Sequence, residues 1–384
     1  MEKHLLDRLH KVYKEKSLFH RYITHQNISI PLKNHENHFE VKVIGHSVLG
    51  LPIHSISIGK GYRKILMWSQ MHGNESTTTK AIFDLCNLLA ESEDENIKNI
   101  LNTCKIVIIP MLNPDGSKAY TRVNANEVDL NRDAKDLSQP ESKVLRNLFN
   151  EFKPDFCFNL HGQRTIFSAG HSNKSATLSF LAPAQDENCT ITDNRKRAME
   201  IISVMNAMLQ QQIPCQVGIY DDTFNINCVG DTFQTHNVPT ILVEAGHFPN
   251  DYPREETRRF VFQSLLTAIE YIATHEITGN GYETYFEIPN NEKLFYDILI
   301  RNCSINNEIL DIGILYQEKL INDKIEFIPK VEKISNLNGF YGHREINAYE
   351  NEVFVNDFKT IEVGLEIDLV LIKNQKISLI LKNV

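Results

Sequence analysis

The segment that most restricts what this chain can fold into is His72-Gly73-Asn74-Glu75. Ahead of it, Lys64 to Gln70 (KILMWSQ) has the make-up of a buried strand; behind it, Thr77 to Ala90 (TTTKAIFDLCNLLA) spaces its apolar residues at helical intervals. The four residues therefore occupy a strand-to-helix turn. Gly73 lets that turn close tightly, so an imidazole nitrogen and a carboxylate can converge on one point. A third donor has to come from elsewhere. Asp155 to Leu160 (DFCFNL) is a compact apolar run followed at once by His161-Gly162. That arrangement sets an imidazole at the C-terminal end of a strand, the edge where open α/β sheets gather their ligands. His72, Glu75 and His161 make a two-histidine, one-carboxylate set, and three protein donors leave one coordination position for water. This is the donor count of a catalytic zinc, one Zn2+ per chain, and it points to metal-assisted hydrolysis. An HxxE pair by itself is weak evidence, because a histidine is as often a satisfied core or surface residue.

Around this turn, strand-like and helix-like runs alternate through the first 280 residues. Strands are expected over Phe39 to Val43, Ile53 to Ile58, Ile65 to Ser69, Lys105 to Ile109, Phe156 to Leu160 and Thr240 to Glu244. Helices are expected over Leu5 to Lys14, Thr77 to Leu89, Glu141 to Phe152, Asp193 to Gln212 and Arg254 to Thr274, with Asp193 as a cap. Such alternation predicts an α/β unit, a mostly parallel central sheet covered by helices on both faces. Glu91 to Asn96 reads as a solvated connection. Beyond the turn-forming Thr278 to Gly281, runs such as Glu308 to Leu315, Lys324 to Ile328, Thr360 to Leu371 and Lys376 to Leu381 alternate with period two. They predict a small antiparallel β-domain over residues 281–384, with no catalytic constellation of its own, after a catalytic unit over residues 1–280.

Further motifs follow the first in a fixed order. They are Asn113-Pro114-Asp115-Gly116, Arg122, Val128-Asp129-Leu130-Asn131-Arg132, Leu160-His161 and Val243-Glu244, with Ile44 to Ile53 (IGHSVLGLPI) upstream. In this order and combination, over roughly residues 20 to 275, the chain resembles the zinc carboxypeptidase family, peptidase family M14. The resemblance implies a role for each residue. Glu244 would be the general base, beside the zinc without ligating it; Arg122 would support the polarised carbonyl oxygen. Asn131 and Arg132 would receive the substrate's terminal carboxylate, for which a planar guanidinium is well shaped. Asp129 would orient a zinc histidine, with His72 the nearer choice. Taken singly, each residue has an ordinary reading as a cap, a loop ion pair or a turn.

The chain also departs from the family. Tyr220 is the nearest counterpart of the mobile tyrosine that closes over substrate, and Asn225 to Gln234 supplies a single acid, Asp231, as a loop residue near the terminal side-chain pocket. Gly162-Gln163-Arg164 replaces small polar residues, bringing the charge of Arg164 close to the site. His-Gly-Asn-Glu is, moreover, the wording of the succinylglutamate desuccinylase and aspartoacylase branch, which also carries an appended β-domain. Three readings therefore stay open: a metallocarboxypeptidase, an amidohydrolase acting on N-acyl amino acids, and a zinc- or ligand-binding protein without turnover. The first two take a substrate with a free carboxylate. The Asn-Pro-Asp-Gly segment and the upstream hairpin favour the peptidase.

A net charge of -9, from 40 basic and 49 acidic residues, argues against nucleic acid or an anionic membrane as partner. Seven dispersed cysteines without a CxxC pair, and an N-terminus without a secretory pattern, lead to the expectation of a cytoplasmic protein with reduced thiols. Oligomeric state has no signature here.

Overall fold

The structure is a computed structural model describing residues 3–355 and 359–381. Two helices, α1 (Lys3–Tyr13) and α2 (His25–His35), precede an antiparallel pair, β1 (Glu40–His46) and β2 (Pro52–Ile58). Then come β3 (Arg63–Ser69), α3 (Thr77–Glu91), α4 (Glu95–Thr103) and β4 (Cys104–Ile109). The chain continues through α5 (Pro114–Ala119), α6 (Pro140–Phe152), β5 (Phe156–Gly162), the short β6 (Ser168–Ala169) and β7 (Leu178–Leu181). It closes the sheet with α7 (Asp193–Gln210), β8 (Val217–Ile219), α8 (Val229–Thr235), β9 (Thr240–Ala245) and α9 (Glu255–Thr274). The eight strands lie in the order β1-β2-β4-β3-β5-β9-β7-β8. The central run β4-β3-β5-β9 is parallel throughout.

Both faces of this sheet are covered, so its strands are apolar almost end to end. Side chains alternate between two cores. Ile65, Met67, Ile106, Ile108, Phe156 and Phe158 enter the larger one beneath α3, α7 and α9, whereas Leu66, Trp68, Val107, Ile109 and Cys157 enter the smaller one beneath α6 and α8. In the latter, Phe233 stacks on Phe149 with ring centroids 3.9 Å apart and meets Trp68 edge-on at 5.3 Å. Each large side chain so buried contributes about 1.5–3 kcal/mol.

Several local expectations are corrected. Helix α7 is capped by Thr192, whose hydroxyl accepts from the Arg195 amide at 3.2 Å, rather than by Asp193. The stretch read as a connection around residue 94 begins a helix, because Asp94 caps α4 through the Asn96 amide while Ile97 and Ile100 turn into the core. Asp231 sits on a helix, α8, and not on a loop.

After residue 290 the chain is β-rich. A two-residue strand, β10 (Asn291–Glu292), pairs with β6. One sheet holds β11 (Phe295–Ile305), β12 (Glu308–Ile321), β13 (Lys324–Ser335) and β14 (Tyr341–Asn347); a second holds β15 (Val353–Val355), β16 (Lys359–Thr360), β17 (Leu369–Ile372) and β18 (Gln375–Ser378). All neighbours are antiparallel except β11 and β14. These sheets enclose their own core around Ile298, Ile314, Val331 and Val370. Tyr285 and Ile288 belong instead to the core of the large sheet. The two units meet where Tyr252 packs against Tyr316 and Phe327 and its hydroxyl donates to Asp297 at 2.9 Å. No helix of the described residues is long and apolar enough to cross a membrane, and all seven cysteines are unpaired.

Candidate active site

The turn after β3 is held by its neighbours. Gln70 takes a left-handed backbone (φ +50°), uncommon outside glycine, and its side-chain amide donates to the carbonyls of Ile23 at 2.9 Å and Gly73 at 2.8 Å. Gly73 lies flat against α5, where an added Cβ would stand 1.9 Å from the carbonyl carbon of Gly116. Asn113 caps α5 by accepting from the Gly116 amide at 2.8 Å and donates to the Met71 carbonyl at 3.1 Å. The Asn113-Pro114-Asp115-Gly116 motif is thus the bed on which His72 and Glu75 rest. Asp115, in turn, accepts from Ser47 and from the Leu49 amide, tying the β1–β2 hairpin to the same point.

His72, Glu75 and His161 come together. Their donor atoms lie within 4.8 Å of one another, the one such group among the described residues. His72 Nδ1 is 2.9 Å from Glu75 Oε1, and His161 Nδ1 is 3.1 Å from both Glu75 Oε2 and His72 Nδ1. A tetrahedral ion with bonds of about 2.0–2.1 Å holds its donors roughly 3.3 Å apart, so the set fits such an ion with a small outward adjustment. The other His72 nitrogen, Nε2, lies 3.1 Å from Asp129 Oδ1, the arrangement that fixes a ligand histidine's tautomer. Burial disfavours charge on His72, but Glu75 and Asp129 outweigh it and raise its pKa to about 9. Burial also opposes the Glu75 carboxylate, which the two histidines hold well below the usual range. Metal binding here would therefore displace a proton.

The remaining candidates surround this set. Glu244 on β9 stands in register with His161 on β5. It is outside the donor group, and its Oε2 is shut off from water with no hydrogen-bond partner. Burial, then the Glu75 carboxylate, push its pKa well above the usual range, while His72 and Arg122 pull the other way. Arg122 donates from Nε to Asp129 Oδ2 at 2.9 Å, with a longer contact of 3.4 Å to Glu75. Arg132, exposed to the cleft, donates to the Asn131 carbonyl and lies 3.2 Å from Cys228 Sγ. Asn131 accepts from the Val229 amide at 3.0 Å. Tyr220 donates to Gln163 Oε1 at 2.7 Å and packs edge-on against Phe167. All these residues line one cleft of about 1040 Å³.

Other cleft residues carry no sequence motif. Asn159, two residues before His161 on β5, is fully buried with both amide atoms unpartnered. Asp231, whose carboxyl burial pushes up to about 7, also lines the cleft. Gln163 points inward and anchors Tyr220, while Arg164 is exposed at the rim. Tyr316, Gln317, Glu318 and Lys319 of β12 form one wall, so the C-terminal unit overhangs the cleft.

Comparison with known proteins bears on this arrangement. The family model for zinc carboxypeptidase matches residues 32–134, which include His72, Glu75, Arg122 and Arg132. Over that segment the chain resembles zinc carboxypeptidases. Carboxypeptidase SOL1 of Arabidopsis thaliana is 31% identical over 137 residues, a match covering 31% of this chain and 28% of that protein. Less than a third of the plant protein's length is thus represented. A metallo-carboxypeptidase structure from Burkholderia cenocepacia superposes with a TM-score of 0.53 at 15% identity, covering 65% of this chain and 70% of its own. A metallo-carboxypeptidase from Pseudomonas aeruginosa, in complex with (2-guanidinoethylmercapto)succinic acid, gives 0.51 at 15% identity, covering 66% and 70%. At these identities the structures establish a shared carboxypeptidase fold.

Proposed function

We propose that the chain is a zinc metallocarboxypeptidase that hydrolyses the C-terminal bond of short peptides. The observation that carries this reading is one cleft holding a three-donor metal set, an unpartnered carboxylate and an exposed guanidinium. A bound Zn2+ would be held by His72, Glu75 and His161 and would supply Lewis-acid polarisation and an acidified water. Glu244 takes a proton from the attacking water and delivers it to the departing amine as the carbon–nitrogen bond breaks. Its raised pKa suits a group that must hold a proton between two steps, and a divalent charge nearby would favour its ionised form before attack. Arg122 supports the carbonyl oxygen, and Arg132 with Asn131 receives the terminal carboxylate. Tyr220, released from Gln163, covers the substrate.

The β12 wall favours a second reading, an amidohydrolase for N-acyl amino acids, because the C-terminal unit contributes Tyr316, Gln317, Glu318 and Lys319 to the cleft lining. A panel of peptides and N-acyl amino acids, incubated with zinc-loaded protein and followed by mass spectrometry, separates the two. Sequential loss of C-terminal residues is expected; acyl release alone would support the amidohydrolase, and metal binding with neither product would refute both. Replacing Glu244 by Gln is expected to keep the metal and lower kcat by about 10²–10⁴. Undiminished turnover would remove Glu244 from the mechanism.

A further inference from the structure

Two arginines stand beside the cleft without a part in the chemistry above. Arg21 precedes α2, and its carbonyl accepts from Ser76, the residue after the ligand Glu75. Arg254 stands in left-handed backbone at the start of α9. Both line the cleft, with Arg21 9% and Arg254 1% exposed. Arg254 spends its two terminal nitrogens on the carbonyls of Ala245, at 2.9 Å, and Gln163, at 3.0 Å. Its Nε has no partner. Arg21 binds Glu318 of β12 through Nη2 at 2.9 Å, while its Nε and Nη1 have no partner.

Buried guanidinium N–H groups left unpaired are costly, so their presence calls for an acceptor. The nearby acids do not fill that need. Asp251 is engaged at the start of α9, accepting from the amides of Glu255 and Thr257 at 2.8 Å each. Glu318 is shared between Arg21 and the Tyr120 hydroxyl. Lys319 on the same wall is paired with Glu366, and Arg164 at the rim adds another positive charge. The end of the cleft under β12 is thus cationic and rich in donors.

Its position sets which part of a substrate would reach it. Along β5 and just past its end the order is Asn159, His161, Gln163: Asn159 lies on the strand face of Cys157, the side covered by α8, His161 is in the donor set, and the Gln163 carbonyl accepts from Arg254 at the start of α9. The Arg132 clamp contacts Cys228, the residue before α8, which covers the sheet face opposite to α9. The arginine pair therefore flanks the metal set from the other end. We infer that Arg21 and Arg254 form an anion subsite for a second carboxylate on the acyl side of the scissile bond, so that the preferred substrates carry an acidic residue before the terminal one. Which end counts as the acyl side rests on the proposed carboxypeptidase reading. Glu318 holds Arg21 in place and tempers the subsite's charge.

The test uses zinc-loaded Glu244→Gln protein, so that no turnover disturbs the reading, titrated calorimetrically with N-acetyl-glutamyl-alanine and its glutaminyl isostere. The acid is expected to bind about tenfold more tightly than the amide, as for a hydrogen-bonded charge pair. Adding Arg21→Gln should remove the preference, and adding Glu318→Gln, which deletes the competing carboxylate, should enlarge it. The two substitutions pull in opposite directions, so general damage to the fold cannot produce both results. Equal binding of acid and amide by the parent, or a preference indifferent to both substitutions, would overturn the subsite. An acid preference without hydrolysis of any peptide by the wild-type chain would leave the subsite standing and sink the peptidase reading. Hydrolysis without acid preference would do the reverse.

Discussion

At the scale of single residues, chemistry-bearing side chains show themselves in sequence when a motif surrounds them. His72, Glu75 and His161 were legible as a candidate donor set, which the fold brings within 4.8 Å, because few side chains can bind a metal and their neighbours describe the turn and strand that aim them. Asp129 was legible from its place ahead of Asn131 and Arg132, and its contact with His72 Nε2 gives that place a physical purpose. Asp129→Ala is expected to weaken zinc affinity about 10–100-fold, measured by competition with a chromogenic chelator. An unchanged affinity would mean that the histidine needs no such partner. Asn159, Gln163 and Arg254 were not legible. Each is distinguished only by burial and by unpaired or long-range hydrogen bonds, which no spacing announces.

At the scale of elements, the central strands were legible because both faces are buried and nearly every residue is apolar. Helix α8 was not: Val229 to Thr235 (VGDTFQT) includes Gly and two Thr, poor helix formers, and only Val229 and Phe233 mark its inner face. The Asn113-Pro114-Asp115-Gly116 motif was recognisable as a word, but its work, bracing the metal turn through Gly73, is a contact between two elements. Gly73→Ala would drive a methyl into the Gly116 backbone, 1.9 Å from its carbonyl carbon. We expect a cost of roughly 1–3 kcal/mol in stability and a weaker metal site, since the turn must lift from α5. Thermal unfolding with and without zinc would check this; a fully stable, fully loaded variant would show that the close approach is not needed.

At the scale of the whole molecule, buried neutral histidines make folding sensitive to acid. Burial lowers the pKa of His35, 3% exposed, to about 4, and that of His247, 1% exposed, well below its usual value. Between about pH 4 and the ordinary histidine value of about 6.5, the unfolded chain binds protons that the folded one refuses. Stability from His35 is therefore intact above that window and lost as pH falls through it, at up to about 1.4 kcal/mol per pH unit. His247, packed against His343 between the two units, acts in the same direction. Buried carboxyls with raised pKa, such as Asp231, act in the opposite sense, so the check is comparative: on going from pH 7 to 5 the urea midpoint of His35→Gln should fall less than that of the parent, and equal falls would contradict the buried neutral state.

What the sequence determined by itself was local and periodic: which runs form strands or helices, where the candidate metal donors lie on them, and in what order the motifs follow. Short-range periodicity and side-chain chemistry suffice for that. Only the tertiary structure decided which groups share a cleft. The meeting of Arg21 with Glu318, nearly three hundred residues apart, the β12 wall, and the facing of His161 and Glu244 across neighbouring strands all depend on long-range packing. Such contacts leave no imprint on the spacing of nearby residues, because the energy that forms them comes from burial shared across the whole fold.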